Sequence, residues 1–245
     1  MDPDVLLREG RKRAFEAPSN PDIKIWRYMD FTRLVNSLEE GGLFFRRTDL
    51  FEDRFEGSMS QPLRDFLQRG HEDVSPEDYA QMLRRVRISS FVNSWHMNES
   101  ESAAMWRLYS SATEQSVCLQ STYRRLRDGL DEDIYIGMVK YISYDRDRIP
   151  FDDLWWPLLH KRKSFEYERE LRAVWSDLDS IHSGNHDDHR VGVWKHVRLQ
   201  SIIESVYVSA ESKPWFAKLV TKVLRRYETD VPVRQSDLAS EPLFS

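Results

Sequence analysis

The residues of this chain best suited to chemistry are three glutamates that alternate within the segment 165–175. If the segment forms a β-strand, Glu166, Glu168 and Glu170 share one face with Arg172, and neighbours on that face lie about 6.5–7 Å apart. Carboxylates this close repel each other, which raises the pKa of one and leaves another ionised. The pattern indicates a carboxylate site that meets an electropositive group. The alternative is an exposed edge face whose charges serve solubility.

Arg27 is a second candidate, because it stands between two aromatic residues in the segment 23–28, which alternates like a short strand. On a strand its guanidinium faces away from Trp26 and Tyr28. An arginine in such a position can bind a phosphate or pair with one of the glutamates. The alternative is a salt bridge with a purely structural role.

Other kinds of site find little support in the sequence. His182, His186 and His189 lie in a stretch rich in Gly, Asn and Asp, which predicts a loop rather than the fixed geometry that a metal needs. Cys118 lies in an apolar strand pattern rather than in the electropositive setting of a nucleophilic thiol. The 9 glycines form neither a phosphate-binding loop nor a dinucleotide-binding pattern. We therefore expect no metal site and no glycine-loop nucleotide fold.

Composition narrows the class of protein. The chain has 245 residues, a net charge of -5 and 31% charged residues, which does not favour a general nucleic-acid or membrane binder. Its 8 Trp, 10 Tyr and 12 Phe favour a folded protein with a sizeable core. One cysteine excludes an internal disulfide, no apolar run approaches a membrane span, and the first residues lack a secretory signal. These features predict a cytoplasmic protein without a membrane partner.

The elements that must position the candidate residues alternate between strands and helices. Residues 1–20 are charged and end in Ala-Pro-Ser-Asn-Pro, which predicts a flexible arm. Residues 21–245 predict a single α+β domain, with helices flanking a mixed, mainly antiparallel and partly split sheet. The predicted strands cover 23–28, 43–45, 88–95, 116–120, 137–144, 165–175, 191–197 and 202–208. The predicted helices cover 31–38, 61–86 in two pieces, 100–109, 122–129, 151–163 and 214–227.

Five motifs follow one another along the chain, at 26–31, 42–57, 89–95, 105–109 and 167–172. In this order they resemble the bacterial family known as domain of unknown function 2971. The similarity spans residues 23–236, nearly the whole chain, and the family name implies no activity. The chain departs from the family pattern at Arg54, where a proline is usual, and at Val117, where a glycine is typical.

A second resemblance concerns function. An arginine on the first strand, serines on a middle strand and a late Glu-x-Glu are similar to the three-motif layout of ADP-ribosyltransferases. That resemblance implies an ADP-ribosyltransferase-like fold, NAD as co-substrate and no metal. It implies that Arg27 holds the phosphates or ribose of NAD, that Glu170 binds the nicotinamide-ribose hydroxyl and that Glu168 helps to activate an acceptor. The residues implied to brace or stack on the nicotinamide are Ser89, Ser90, Trp95, Trp106 and Tyr109.

The implied chemistry suits paired carboxylates. Cleavage of the bond between ribose and nicotinamide develops oxocarbenium character, which a fixed anion stabilises. Two alternatives stay open at the level of sequence. One is a non-catalytic domain that binds a ligand or partner and has a structural Arg–Glu network. The other is a hydrolase that uses Glu168 and Glu170 without NAD. The acceptor, whether a protein, a nucleic acid or a small molecule, is not specified by the sequence.

Overall fold

The computed structural model describes residues 11–70, 74–109, 115–187 and 189–240. Short 3-10 helices occur at Thr48–Leu50, Trp156–Leu159, Lys163–Glu168 and Asp237–Ala239. The α-helices of the described residues are α1 (Arg11–Ala14), α2 (Phe31–Glu39), α3 (Gln61–Gln68), α4 (Pro76–Ser89), α5 (Ala103–Tyr109), α6 (Tyr123–Gly129), α7 (Leu178–Ser183), α8 (Leu199–Ile202) and α9 (Pro214–Arg226). The strands are β1 (Lys24–Asp30), β2 (Gly42–Arg47), β3 (Ser90–Met97), β4 (Ser116–Thr122), β5 (Tyr135–Met138), β6 (Lys140–Ile142), β7 (His160–Arg162), β8 (Glu170–Ser176), β9 (Gly192–His196), β10 (Ser205–Val208) and β11 (Val233–Gln235).

The described residues divide into two compact units. The first, here called unit 1, takes its residues from the segments 1–18, 44–94 and 131–193. The second, unit 2, takes its residues from 19–43, 95–130 and 194–245. Strand pairs are mainly antiparallel in both units, and helices accompany the strands in each. The predicted α+β class with a mixed, mainly antiparallel sheet is therefore confirmed.

Unit 1 is built on antiparallel strands, with one small parallel pair set apart. Strand β5 pairs with β8 from Tyr135 opposite Val174 to Met138 opposite Leu171. Strand β8 also pairs with β3, and β3 pairs with β2. The separate two-stranded sheet joins β6 to β7 in parallel. This small sheet accounts for the split that the sequence predicts.

Helix α4 shows how the sequence sets the packing of unit 1. Ser75 caps the helix, because its hydroxyl accepts a hydrogen bond from the backbone N–H of Asp78 at 3.0 Å, and a proline follows at the first turn. Tyr79, Leu83 and Val86 then recur at helical spacing and are all buried. A buried leucine contributes roughly 1.5–3 kcal/mol relative to an exposed one, so this face fastens the helix to the core.

Unit 2 is organised around the β1–β4 pair, which is antiparallel along its whole length. Strand β10 adds to β4 antiparallel, and β11 adds to β10 in parallel. Asp30 at the end of β1 caps helix α2 by accepting a hydrogen bond from the backbone N–H of Arg33 at 2.8 Å. The hydrophobic cluster of this unit contains the fully buried Cys118. Its members are Trp26, Tyr28, Met105, Trp106, Cys118 and Tyr207.

Two predicted elements were wrong. The strand expected over 165–175 begins only at Glu170, because residues Lys163–Glu168 form a 3-10 helix that ends at a left-handed residue. The helix expected over 151–163 is limited to a 3-10 turn at Trp156–Leu159, followed directly by β7. Pro157 explains the second error, since it lacks a backbone N–H and does not support a longer helix.

The predicted arm falls largely on residues that the structure does not describe. Within its described part, Ala14 is fully buried, and the ring of Phe15 lies 5.4 Å from that of Tyr135. The boundary at residue 20 and the single domain over 21–245 stay predictions. No helix among the described residues combines the length and apolar character needed to cross a bilayer.

Candidate active site: a buried cluster of carboxylates and cations

Five charged side chains of unit 1 gather in one buried cluster, which we call the carboxylate cluster. They come from the loop before α3, from β7, from the end of the third 3-10 helix and from the start of β8. All five are buried, and Arg172 is only 1% exposed. Charged residues are rarely buried without a partner, so their joint burial requires that they pair with one another. The members of the cluster are Glu56, Lys161, Glu168, Glu170 and Arg172.

Arg172 holds the cluster together through every edge of its guanidinium. Its Nε and Nη2 donate to the two carboxylate oxygens of Glu170, each at 2.9 Å. Its Nη2 also contacts Glu56, and its Nη1 donates to the backbone carbonyl of Leu158 at 2.5 Å. The guanidinium carbon lies 5.3 Å from the ring centre of Phe51. A planar, two-point contact of this kind fixes the carboxylate of Glu170 in both position and orientation.

Lys161 brings the third carboxylate into the cluster. Its Nζ lies 2.5 Å from an oxygen of Glu168, 3.4 Å from one of Glu56 and 3.6 Å from one of Glu170. The same ammonium lies 4.7 Å from the ring centre of Phe165. The two oxygens of Glu168 and Glu170 that contact Nζ can therefore be no more than 6.1 Å apart, the sum of their two distances.

The charges of the cluster do not balance when all five groups are ionised, because three carboxylates face two cations. Burial opposes ionisation of Glu170, but Arg172 and Lys161 outweigh it and lower the pKa of Glu170 to about 2. Burial, reinforced by the charge of Glu170, raises the pKa of Glu168. Burial opposes the charge on Lys161, yet Glu170 and Glu56 raise its pKa. Of these two carboxylates, Glu168 is thus the one that takes up a proton more readily, which relieves the excess negative charge.

A second ion pair and several aromatic rings lie beside the cluster. Arg162, the neighbour of Lys161, donates through Nε to Asp53 at 3.0 Å. Its guanidinium carbon lies 4.8 Å from the ring centre of Phe55 and 5.4 Å from that of Phe165. Phe55 is 43% exposed, so this edge of unit 1 presents an aromatic ring to solvent.

The structure brings two of the predicted residues into the cluster. Glu168 and Glu170 both contact Lys161, as expected for carboxylates that meet a positive group. Glu166 was expected on the same face but lies exposed on the 3-10 helix, because the strand starts later than predicted. The electropositive partners of the glutamates include Arg172, which the alternating pattern places on their face.

Ser89 and Ser90 are also in unit 1, and both are buried. Ser89 ends helix α4, and its carbonyl accepts a hydrogen bond from the backbone N–H of Asp177 at 2.8 Å. Ser90 begins β3, and its hydroxyl lies 2.8 Å from that of Ser176, which also accepts a hydrogen bond from Trp155. These contacts explain the burial of both serines, and a role toward nicotinamide stays a prediction.

The other predicted residues belong to unit 2. Arg27 lies half-buried in the middle of β1, opposite Leu119 of β4. Trp95 is buried on β3, and Tyr109 ends α5 with 41% of its surface exposed. Trp106 packs within the hydrophobic cluster of unit 2, and its indole N–H donates to Glu101 at 2.7 Å. Their roles toward NAD also stay predictions.

Sequence reasoning missed Glu56 and Lys161 as members of the cluster. Glu56 stands in an acidic and aromatic loop that the pattern did not connect to the later glutamates. Lys161 stands in the basic run 160–163, which is typical of a solvated surface. One signal was available: a crowded set of carboxylates needs cations, and this run is the nearest basic segment before Glu168.

A cavity of about 350 Å³ lies beside α3 and α4, lined among others by Ser60, Arg64, Glu77 and Arg84 but by no member of the carboxylate cluster. Within the described ranges, no three His, Cys, Asp or Glu side chains are grouped so that they can hold a metal ion.

Comparison with known proteins places the chain near one group of solved structures. No protein-family model matches the sequence, and no curated protein shows significant sequence similarity to it. The resemblance to domain of unknown function 2971 therefore stays a prediction. The fold is similar to that of DarT from Thermus sp. 2.9 in complex with NAD+, at 13% identity and a TM-score of 0.44, over 92% of this chain and 100% of that one.

Two further structures of the same protein are similar to this chain. DarT in complex with carba-NAD+ is 12% identical, with a TM-score of 0.42 over 90% of this chain and 97% of that one. DarT in complex with ADP-ribosylated ssDNA is 11% identical, with a TM-score of 0.43 over 91% of this chain and 97% of that one.

Acid should destabilise the protein between about pH 5 and pH 2. Glu170 has a pKa of about 2 when folded, whereas an ordinary glutamate titrates near about 4.3. A lowered pKa contributes stability that is present above the unfolded value and is lost as pH falls through the folded one. The loss should be on the order of 3 kcal/mol, at about 1.4 kcal/mol per pH unit. Urea unfolding at about pH 6, 4 and 3 measures it.

The matched variant for this measurement is Glu170→Gln, which carries no charge to titrate. Its stability should depend less steeply on pH over the same range. The contribution of Glu168 to the free energy of unfolding depends on pH in the opposite direction. Because its pKa is raised, this contribution is present at low pH and is lost as pH rises through the folded value. Equal pH dependence in the wild type and Glu170→Gln would contradict the role assigned to Glu170.

Proposed function

We propose that this protein cleaves the bond between ribose and nicotinamide in NAD and transfers the ADP-ribosyl group to an acceptor, as ADP-ribosyltransferases do. Glu170 is the anion that stabilises the developing positive charge, and Glu168 is the base for the acceptor. Arg27 is the residue assigned to the phosphates or ribose of NAD. The acceptor is a protein, a nucleic acid or a small molecule that presents a nucleophile.

One observation carries this proposal: Glu168 and Glu170 are buried together against Lys161 and Arg172, and their pKa values are shifted in opposite directions. Glu170 stays ionised over the whole physiological range, whereas Glu168 holds a proton more readily than an ordinary glutamate. Neighbouring carboxyl groups with separated pKa values are the usual basis for dividing an anionic role from an acid–base role. The cluster also has one carboxylate more than it has cations, so a cation that develops nearby restores its balance.

The chemistry assigned to the two residues balances. The bond between the ribose carbon and the nicotinamide nitrogen breaks, and its electron pair neutralises the pyridinium, which leaves as nicotinamide. The ribose carbon gains oxocarbenium character, which the fixed charge of Glu170 stabilises. An acceptor hydroxyl or amine forms the new bond to that carbon, and its proton passes to the carboxylate form of Glu168. The raised pKa of Glu168 makes its carboxylate a stronger base toward that proton than the carboxylate of an ordinary glutamate.

The choice of NAD rests on the order of sequence motifs. An arginine on the first strand, serines near the start of a middle strand and Glu-x-Glu late in the chain are present as Arg27, Ser89 with Ser90, and Glu168 with Glu170. A hydrolase without NAD needs the same two carboxylates but has no use for Arg27. A substitution of Arg27 therefore distinguishes the NAD-dependent transferase from the hydrolase without NAD.

Calorimetric titration with NAD tests this assignment directly. We expect binding in the micromolar range for the wild type and its loss in Arg27→Ala, because the charge that holds the dinucleotide is removed. Chromatography of the same mixture should show free nicotinamide, released faster when an acceptor is present. Arg124→Ala is the control, since Arg124 is an exposed arginine of the same unit paired with Asp22. Absence of heat at millimolar NAD would overturn the proposal.

The carboxylate cluster also supports one non-catalytic possibility. Arg172 donates to Glu170, Glu56 and a backbone carbonyl, so a structural network accounts for part of its burial. Under that possibility the domain binds a ligand or partner and the cluster serves stability alone. The variant Glu170→Gln would then lower the stability of the protein and would have no activity to lose.

A further inference from the structure

The backbone between Glu168 and Glu170 has an unusual conformation. Arg169 has φ 41° and ψ 55°, in the left-handed region. Among the described residues other than glycine, only Glu228 shares a positive φ. A residue with a side chain adopts this region at a cost of roughly 1–3 kcal/mol, so surrounding contacts must hold it there. The strained residue lies between the two carboxylates that act together in the proposed function.

The backbone N–H of Arg169 donates to the carbonyl of Glu166 at 3.2 Å, which closes the 3-10 helix. The next residue of the turn is held by Tyr141. Its hydroxyl oxygen accepts a hydrogen bond from the backbone N–H of Glu170 at 2.7 Å. The carbonyl of Glu170 in turn accepts one from the backbone N–H of Val139 at 2.9 Å. The β5–β8 ladder begins one residue later, with Leu171 opposite Met138. The tyrosine hydroxyl thus takes the place of a backbone acceptor at the first residue of β8.

The position of Tyr141 follows from the small parallel sheet. In the β6–β7 pair, Tyr141 stands opposite Lys161. Partners in register place their side chains on the same face of a sheet. One face of this two-stranded sheet therefore supplies both the ammonium that contacts Glu168 and Glu170 and the hydroxyl that holds the Glu170 backbone.

We propose that Tyr141 is a positioning residue of the proposed active site: its hydroxyl maintains the left-handed turn at Arg169, and this turn brings the Glu168 and Glu170 carboxylates to Lys161. The inference deepens the proposed function and depends on it for the kinetic result described below. Tyr141 itself stays protonated, because burial and the charge of Glu170 raise its pKa. It contributes an acceptor oxygen rather than a proton to the chemistry.

The test replaces Tyr141 with phenylalanine, which keeps the ring and removes the acceptor. The Glu170 N–H then lacks its partner, and the turn at Arg169 relaxes toward an unstrained conformation. Glu168 should lose burial and move away from the charge of Glu170, the two main causes of its raised pKa, so that pKa should fall toward the value of an ordinary glutamate. Carbon-detected NMR of 13C-glutamate-labelled protein measures this pKa, with Glu168→Gln used to assign the signal.

The kinetic readout is the split between kcat and KM for nicotinamide release. Tyr141→Phe should lower kcat by about 10–100-fold and leave KM for NAD within about twofold, since the positions of the glutamates change and the NAD contacts assigned to Arg27 are kept. Tyr144→Phe is the matched control, because that hydroxyl donates to the carbonyl of His160 at 3.1 Å in the same unit and holds neither glutamate. It should leave the pKa of Glu168 unchanged.

A rescue separates positioning from general loss of packing. Glycine adopts the left-handed region without strain, so Tyr141→Phe with Arg169→Gly should restore the turn without the hydrogen bond. The double variant should recover the pKa of Glu168 and most of kcat, whereas a lost packing contact would not be recovered. An unchanged Glu168 pKa in Tyr141→Phe, or failure of this rescue, would overturn the inference.

The titration needs no NAD, so it distinguishes the two levels of the proposal. If the wild type releases no nicotinamide but Tyr141→Phe shifts the Glu168 titration and Arg169→Gly restores it, the proposed reaction is wrong and the positioning role stands. If nicotinamide is released and the titration is unaffected by Tyr141→Phe, the reaction stands and the positioning role is wrong.

Discussion

Replacing Arg172 with methionine should destabilise the protein by about 3–5 kcal/mol, the usual cost of removing one partner from a buried ion pair. Methionine fills much of the space of the arginine stem but offers no donor. Glu170 and Glu56 would lose their shared partner while staying buried, and Lys161 alone would face three carboxylates. Denaturant unfolding at neutral pH, with circular dichroism as the probe, measures the loss.

An exposed ion pair of similar geometry provides the control for Arg172→Met. Arg124 donates to both oxygens of Asp22 at 2.8 and 3.0 Å, but its side chain is 47% exposed. Arg124→Met should cost far less than Arg172→Met, because water replaces the lost contact at an exposed pair. Equal losses in the two variants would mean that burial of the cluster does not decide its strength.

The double variant Arg172→Met with Glu170→Gln extends this test. Removing one carboxylate together with the cation leaves fewer unpaired charges, so the double variant should be more stable than the sum of the two single losses predicts. Additive losses would show that Arg172 and Glu170 act independently, contrary to their two-point contact.

Glu170→Gln should reduce NAD cleavage by about 10²–10³-fold, the usual effect of removing one fixed group that stabilises a transition-state charge. Glutamine keeps the shape and can still contact Arg172, so the loss reports the missing charge. Stability should fall as well, on the order of 3 kcal/mol, because the ionised form of Glu170 is favoured by its partners. Nicotinamide release is measured at a temperature at which the variant remains folded.

Glu56→Gln is the matched control for this loss of activity. It removes a carboxylate that contacts the same Arg172 and Lys161 but lies outside the Glu-x-Glu pair. Its stability should fall by a comparable amount, whereas nicotinamide release should fall by no more than about tenfold. If the two variants lose the same activity, the cluster acts through stability alone, and the non-catalytic possibility gains support.

The fold class could be predicted because hydrophobic periodicity is a local property of the sequence. Helix α4 illustrates this, since Ser75, Pro76 and the spacing of Tyr79, Leu83 and Val86 all point to the same element. The start of β8 could not be predicted in the same way. The alternation of residues 165–175 suits a strand, but tertiary contacts of Glu170 and Tyr141 place a left-handed residue at Arg169.

Only the part of the candidate site whose residues are close in sequence could be predicted. Glu168, Glu170 and Arg172 are close in sequence, so their neighbourhood follows from local geometry once a strand or turn is assumed. Glu56 stands 116 residues before Arg172, and nothing in its own surroundings in the sequence identifies that partner. The need for a cation was predicted from the crowded carboxylates, but the choice of Lys161 depends on the pairing of β6 with β7.

The single cysteine of the chain can serve as a probe of local opening in unit 2. Cys118 is fully buried, and burial raises the pKa of its thiol, so a thiol reagent reacts with it only after the surrounding structure opens. The rate of labelling in excess reagent therefore counts openings of the hydrophobic cluster in unit 2. The carboxylate cluster of unit 1 contains no cysteine. The labelling rate of Cys118 in variants of the carboxylate cluster therefore reports whether a substitution in unit 1 also changes the opening of unit 2.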